Sequence, residues 1–395
     1  MAKRIDIVII IALAIFVLSV RPIFPIFAVN GSDASLMDRA LPIATSATML
    51  QSSERLLPIK QNGMWGYIDK NAIIVIQPQY DAAHDFIGEI APVKIHNKWG
   101  YIDRSGRVVL SPRSYDIWLF YDGLSRFSPT PTTWKYINQQ GETVIRIKAD
   151  FAQVFSEGFA AIRRGRFWGY IDKSGKLVVR PQFIAAEDFS DGFAAVKRGR
   201  LWGYVDRTGK LTIEPRFIAA TNFSEGMAFV KNDSEAGFIN GRGEMIIKCS
   251  CQLAKRFSEG LAAVSADGKI GFIDNKGEVV ISPQFTAPIG SDIEWEWLFS
   301  NNRALIRIGD KFNYVDRQGR VISQTVFDEG RKFSDGLASI TLHGKEGYID
   351  LTGRIVIEPQ YTAAYDFNDG IAWVNVEDRW GYINKTGSYI WPLSE

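Results

Sequence analysis

The chain has 395 residues, of which 46% are hydrophobic and 13% are aromatic, so it can bury a large core. Its charges nearly balance, with 46 Lys and Arg against 44 Asp and Glu. A nucleic-acid-binding protein usually has a strongly basic domain, so we expect no nucleic-acid partner.

The N-terminal segment has the pattern of an export signal. Residues 1–4 are basic and residues 7–20 form an apolar run of 14, which is short for a membrane span but typical of a secretory signal. The small residues at 32–34 suit cleavage. We therefore predict that residues 1–34 are a signal peptide and that the protein is periplasmic, envelope-bound or extracellular. The alternative is an uncleaved anchor formed by residues 7–20.

The next segment differs in composition from all that follows. Residues 35–54 are rich in Ser, Ala and Thr and show no period, which predicts a flexible tether. From residue 55 to residue 395 the chain is periodic, without a linker-like break. This periodic part is predicted to be one domain.

The motif Trp-Gly-Tyr-Ile-Asp-Lys-Ser-Gly at residues 168–175 organises that domain. The position of its Tyr recurs every 34 residues, apart from one interval of 35 and one of 42. The aromatic residues at this position are Tyr67, Tyr101, Tyr136, Tyr170, Tyr204, Phe238, Phe272, Tyr314, Tyr348 and Tyr382. A fixed period of this length indicates a repeat architecture of about ten units.

Residues 155–189 show what one unit predicts. Residues 159–163 and 167–172 have the composition of strands and are joined by a short reversal around Gly165. An Asp-x-x-Gly turn follows at residues 172–175, and residues 176–180 form a third strand rich in β-branched side chains. Pro181 is expected to end that strand, because proline cannot donate to a ladder. The unit is a three-stranded meander with room for a short fourth strand.

These units resemble the WG-repeat family of bacterial β-repeat proteins. The Trp-Gly pair is intact in five units and altered in the other five. The resemblance implies an all-β scaffold that serves as an interaction module, and it implies no catalytic residues. We predict an open, superhelical β-solenoid-like array, because propellers typically have four to eight blades of about 40 residues or more. The alternative is a propeller-like ring.

Catalytic, metal and cofactor sites are not predicted. The aspartates at the position of Asp172 open turns, where Asp accepts backbone hydrogen bonds, and Asn replaces Asp in three units. We find no hydrolase motif, no zinc motif and no phosphate loop. The protein is therefore predicted to be neither an enzyme nor a cofactor-binding protein.

Cys249 and Cys251 are the two cysteines of the chain. On an extended strand their Cα atoms would be about 6–7 Å apart, at the limit for a disulfide. We favour reduced, apolar fillers, and a bend in the strand would permit a disulfide instead.

Two features are candidate interaction sites. Arg164 and Arg166 occupy the same hairpin tip as Arg198 and Arg200 in the next unit, so stacking would bring them into a basic row. The 42-residue interval holds eight extra residues, among them Trp295 and Trp297. Two such tryptophans on one exposed face would suit a sugar ring or a protein hot spot. The structural interpretations are solvated tips and tryptophans that cover an irregular core.

The resulting hypothesis is an exported, non-enzymatic scaffold that binds a protein partner at the cell envelope. A module that binds cell-wall polysaccharide or peptidoglycan is the alternative. A hydrolase is the weakest of the three, because no catalytic motif supports it.

Overall fold

The computed structural model describes residues 55–114, 119–286 and 297–394, apart from the side chains of residues 113, 114 and 129. Contacts group Glu54–Glu395 as one compact unit. The regular structure of the described residues is entirely β-strand. Nothing in them is a helix with the length and apolar character that a membrane span requires. The predicted signal segment and tether, residues 1–54, lie outside the described residues.

The strands form ten small antiparallel sheets, which we call blades 1 to 10 in chain order. Blades 1 to 5 contain, in turn, β1 (Leu57–Gln61), β2 (Met64–Ile68) and β3 (Ile74–Tyr80); β4 (Ala82–Ala83), β5 (Ile90–Ile95), β6 (Lys98–Asp103) and β7 (Val108–Ser114); β8 (Phe120–Tyr121), β9 (Leu124–Thr130), β10 (Thr133–Ile137) and β11 (Thr143–Lys148); β12 (Phe151–Ala152), β13 (Phe159–Arg164), β14 (Phe167–Asp172) and β15 (Leu177–Phe183); and β16 (Ala185–Ala186), β17 (Phe193–Arg198), β18 (Leu201–Asp206) and β19 (Leu211–Phe217).

Blades 6 to 10 continue the same order. They contain β20 (Ala219–Ala220), β21 (Ala228–Lys231), β22 (Ala236–Ile239) and β23 (Met245–Cys249); β24 (Leu261–Ala266), β25 (Lys269–Asp274) and β26 (Val279–Thr286); β27 (Phe299–Ser300), β28 (Arg303–Ile308) and β29 (Lys311–Asp316); β30 (Glu329–Gly330), β31 (Leu337–Leu342), β32 (Lys345–Asp350) and β33 (Ile355–Tyr361); and β34 (Ala363–Ala364), β35 (Ile371–Val376), β36 (Arg379–Asn384) and β37 (Tyr389–Ser394). The all-β class and the count of ten units are confirmed.

Blade 5 shows the regular arrangement. The two-residue strand β16 pairs with β17, which pairs with β18, which pairs with β19. The predicted meander is therefore confirmed, and the short fourth strand exists. One residue, Ile184, separates the end of β15 in blade 4 from the start of β16 in blade 5. Because the blades need so little connecting chain, 34 residues suffice for a four-stranded blade.

The Trp-Gly pair and the proline of the third strand lie opposite each other on paired strands, and the geometry of each depends on the other. The strand β15 continues through Pro181 to Phe183, so the prediction that this proline ends the strand is wrong. The pairing shifts register between Trp168 and Tyr170, which leaves Pro181 in a bulge outside the ladder. A Cβ added to Gly169 would lie 2.3 Å from the carbonyl oxygen of Val179 and 2.7 Å from the nitrogen of Pro181. Glycine is needed because the bulged strand passes directly over it.

Most blades are joined to the next by a buried tyrosine hydroxyl, whereas blades 6 and 7 have phenylalanine at this position. Tyr170 donates to the carbonyl oxygen of Glu187 in blade 5 at 2.6 Å, and its ring meets Phe189 edge-on with 5.1 Å between centroids. The same bond to the carbonyl 17 residues further on is made by Tyr67, Tyr136, Tyr204, Tyr314 and Tyr348. The residue spacing of the repeat thus sets the distance between blades.

A second series of bonds joins the Phe-Ser-Glu-Gly turns of neighbouring blades. The hydroxyl of Ser156 donates to the carbonyl of Phe189, and the carboxylate of Glu157 accepts from the amides of Asp191 and Gly192. The carboxylates of Asp122, Asp191, Glu225, Glu259 and Asp335 make the same kind of bond to the next blade.

The first and last blades meet, so the array closes into a ten-bladed, propeller-like ring. The hydroxyl of Tyr382 in blade 10 donates to the carbonyl of Pro58 in blade 1 at 2.8 Å. Nη1 of Arg55 donates to the carbonyl of Asn368 at 2.6 Å. One buried cluster combines both ends of the domain: Leu57, Ile59, Ile68, Ile371 and Tyr382. Of the two arrangements predicted from the sequence, the ring stated as the alternative is the one found.

Removing the closing hydroxyl tests this seam. We expect Tyr382→Phe to lower the free energy of unfolding by about 1 kcal/mol, because the carbonyl of Pro58 loses its donor in a buried place. Tyr170→Phe removes the equivalent bond between blades 4 and 5 and should cost about the same. Urea denaturation followed by tryptophan fluorescence measures both. A loss in Tyr170→Phe with none in Tyr382→Phe would contradict a closed ring.

Candidate functional site

The four arginines predicted as a basic row lie on two neighbouring hairpin tips. Arg164 ends β13 and Arg166 precedes β14, while Arg198 and Arg200 hold the same places in blade 5. All four are exposed. The tip glycine of each hairpin has a positive φ, 60° at Gly165, which L side chains rarely adopt. The tight tips therefore project arginine on both sides of a glycine.

Two of these side chains are held against the junction between the blades. The Nη2 of Arg198 donates to Oε1 of Gln182 at 3.1 Å, and its guanidinium lies 5.4 Å from the ring centroid of Phe183. The Nε of Arg164 donates to the carbonyl of Lys148 at 2.9 Å. None of the four arginines forms an ion pair with a carboxylate of the described residues. Their positive charge is available to a partner.

Trp297 does not lie on an exposed face. Only 3% of it is exposed, and it packs in the core of blades 7 and 8 beside Phe285, with 6.2 Å between ring centroids. Its backbone amide donates to the carbonyl of Leu305, which is the bond that Glu187 makes to Ala195 in blade 5. The repeat thus resumes at Trp297 after the insertion. Because this side chain is buried, the prediction that Trp295 and Trp297 form an exposed pair is wrong for Trp297. Trp295 lies outside the described residues.

The two cysteines form a disulfide, which corrects the favoured prediction of reduced fillers. β23 ends at Cys249, so the chain is not extended as far as Cys251, and the Cα atoms are 5.1 Å apart. That separation lies within the usual range for a disulfide. Both residues still pack against the core between blades 6 and 7, as an apolar filler would.

The turn aspartates have the structural role that the sequence indicates. Oδ1 of Asp172 accepts hydrogen bonds from the amides of Ser174 and Lys176 and from the hydroxyl of Ser174. These bonds hold the pKa of Asp172 below its ordinary value, against the opposing effect of burial. Among the described residues, no group of three or more His, Cys, Asp or Glu is arranged to hold a metal ion.

A half-buried pair of acids, which the sequence did not reveal, follows the short strand of blade 5. Burial raises the pKa of Glu187 to about 7, and the neighbouring charge of Asp188 adds to this shift. Burial raises the pKa of Asp188 to about 6, although Arg126 in blade 3 opposes the rise. At the equivalent place in blade 2, burial lowers the pKa of His84 to about 4. At these blade junctions, burial therefore favours the uncharged forms of Glu187, Asp188 and His84.

The raised pKa of Glu187 predicts a dependence of stability on pH. The folded protein favours the protonated acid, so its contribution is most favourable below the ordinary pKa of 4.5 and is lost as the pH rises through about 7. We expect Glu187→Gln to raise the melting temperature by about 1–3 °C at pH 8 and to leave it unchanged at pH 4. Scanning calorimetry at both pH values measures this. The exposed Glu214→Gln is the control, and equal effects at both pH values would contradict the prediction.

Comparison with known proteins gives one family match. The sequence model of the WG containing repeat matches residues 65–99, 99–128, 134–165, 168–201, 202–235, 237–269, 270–312, 314–345 and 347–380. No curated protein matches the chain.

Solved structures show only weak likeness. A structure titled as the eukaryotic initiation factor is 11% identical, with 86% of this chain and 95% of that chain covered and a TM-score of 0.48. The computationally designed Ika8 protein is 14% identical, with 69% and 93% covered and a TM-score of 0.38. BamB from Moraxella catarrhalis is 13% identical, with 67% and 94% covered and a TM-score of 0.33. None of these bears on function.

Proposed function

The chain belongs to the WG-containing repeat family, and from this premise we propose that it is an exported, non-enzymatic scaffold that binds a protein partner at the cell envelope. A closed ring of ten blades offers large, rigid surfaces made of repeated turns and hairpin tips. Binding residues in such scaffolds lie on the loops that the sheets position. A partner is therefore expected to bind at the hairpin tips.

The exposed basic tips of blades 4 and 5 carry this proposal. Arg164, Arg166, Arg198 and Arg200 stand on adjacent blades, and no carboxylate of the described residues is paired with them. A cluster of one sign steers and orients a partner of the opposite sign. An acidic protein surface fits this requirement. Arginine is also enriched in the hot spots of protein interfaces.

The polysaccharide alternative has less support. It relied on Trp295 and Trp297 as a pair of exposed rings, and Trp297 is buried. A buried indole cannot stack on a sugar. The apolar run at residues 7–20 supports export, but it lies outside the described residues.

Reversing the charge of one tip tests the proposal. The full-length protein, tagged after Glu395, is expressed in its own host, cross-linked in intact cells and purified. We expect a discrete protein partner in the envelope fraction, and we expect Arg198→Glu/Arg200→Glu to reduce its recovery at least tenfold. Each lost contact between close, opposite charges contributes to that effect.

The matched control reverses two charges at the opposite ends of blades. Arg242 and Lys276 are exposed residues of the Asp-x-x-Gly-type turns in blades 6 and 7. Arg242→Glu/Lys276→Glu should leave recovery unchanged. Equal recovery from all three proteins would contradict binding at the tips, and a protein found only in the cytoplasm would contradict export.

A further inference from the structure

The junction between blades 6 and 7 lacks the hydroxyl bond that joins most other blades. Phe238 stands in blade 6 where Tyr170 stands in blade 4, so this ring has no hydroxyl to donate to the carbonyl of Lys255, 17 residues further on. The bonds of the Phe-Ser-Glu-Gly turns remain, such as that from the hydroxyl of Ser224 to the carbonyl of Phe257. The core of this junction therefore depends on packing and on the disulfide that lies in it.

The third strand of blade 6 also departs from the regular arrangement. In blade 4 the ladder skips Pro181 in a bulge, and Phe183 ends β15 in the core. In blade 6 the pairing runs without that bulge as far as Cys249, where β23 ends. Cys251 then takes the core place of Phe183, and only 6% of it is exposed. The disulfide thus fixes the change of direction that the proline bulge fixes in blade 4.

The link between blades 6 and 7 is longer than the links at the regular junctions. Four residues, 250–253, separate Cys249 from Ala254, which forms the first bridge of blade 7, to Val264. A single residue links blades 1 and 2, 4 and 5, 5 and 6, and 9 and 10: Asp81, Ile184, Ile218 and Thr362. By fastening Cys251 to the end of β23, the disulfide shortens the free part of the longer link.

Blade 7 lacks a tyrosine hydroxyl on its other side as well. Phe272 occupies the tyrosine position of blade 7, and the eight extra residues of the chain lie between this blade and blade 8. A segment with fewer bonds to its surroundings opens at a lower free energy than the rest of a protein. Blade 7 is therefore the blade whose attachment depends most on the disulfide.

We propose that the disulfide between Cys249 and Cys251 is a redox latch, which holds blade 7 against blade 6 while it is intact and loosens this junction when it is reduced. The latch keeps the ring closed where disulfides persist and loosens it where dithiols are maintained. This inference goes beyond the proposed scaffold function and does not depend on it.

The reductant of the latch is a dithiol. One of its thiolates attacks the sulfur of Cys249, the half-buried residue of the pair, and the sulfur of Cys251 leaves as a thiolate. The second thiolate of the reductant then attacks the mixed disulfide and releases Cys249. The reductant departs as a disulfide, and its two electrons and two protons are left on the two cysteines as thiols.

Hydrogen exchange of the purified full-length protein tests the latch, measured by mass spectrometry with and without dithiothreitol. We expect reduction to speed the exchange of residues 250–265 about tenfold, which is the order of magnitude that loop closure gives for so short a loop. Residues 177–193, at the junction of blades 4 and 5, should exchange at an unchanged rate. Titration of the two cysteines as free thiols verifies that reduction is complete.

Two variants separate a local latch from a general loss of stability. Cys249→Ala/Cys251→Ala should exchange in residues 250–265 as fast as the reduced protein does, and it should not respond to dithiothreitol. Phe238→Tyr gives this junction the hydroxyl that Tyr170 supplies in blade 4. Because this bond holds the junction without the disulfide, dithiothreitol should speed exchange in Phe238→Tyr only about twofold.

Three results would overturn the proposal. The first is unchanged exchange in the fully reduced protein. The second is an equal rise in residues 177–193, because reduction would then destabilise the whole domain instead of one junction. The third is a full tenfold response in Phe238→Tyr, because the link would then fray without any loosening between the two blades.

Discussion

The buried tyrosine hydroxyl that joins a blade to the next, found in blades 1, 3, 4, 5, 8, 9 and 10, is the interaction on which the architecture depends. Tyr170 reaches the carbonyl of Glu187 because the next blade begins one residue after the third strand ends. The bulge opposite Gly169 lets that third strand pass over the Trp-Gly strand. Glycine, proline and tyrosine of one unit therefore act together. The same hydroxyl, at Tyr382, also closes the ring against Pro58.

Much of the fold could be predicted from the sequence because the periodic signals are local. The recurrence of Tyr170 gives the number of units, and the turns at residues 172–175 give the hairpins. Ring closure was not readable, since it is made by Arg55 and Tyr382, which bond across the two ends of the repeat. The prediction that Pro181 ends the third strand was wrong. A β-bulge takes this proline out of the hydrogen-bond ladder, and the sequence of one unit contains no separate signal for a bulge.

The candidate site was predicted in part. The hairpin geometry that exposes Arg198 and Arg200 follows from the tip glycine between them, so their exposure could be inferred. The burial of Trp297 could not, because it depends on where the repeat resumes after the insertion.

The closed ring is the central claim, and a distance between its first and last blades tests it most directly. Spin labels are placed on the exposed tips of blades 1 and 10, at Asn62→Cys and Asp378→Cys. A second pair at Arg166→Cys and Arg200→Cys calibrates the distance between neighbouring blades, and the native cysteines are already joined in a disulfide. In a ring the two pairs give similar label-to-label distances, because each pair joins the tips of neighbouring blades. An open stack would separate the ends by roughly 90 Å, which is nine steps of the sheet spacing, and would contradict the account.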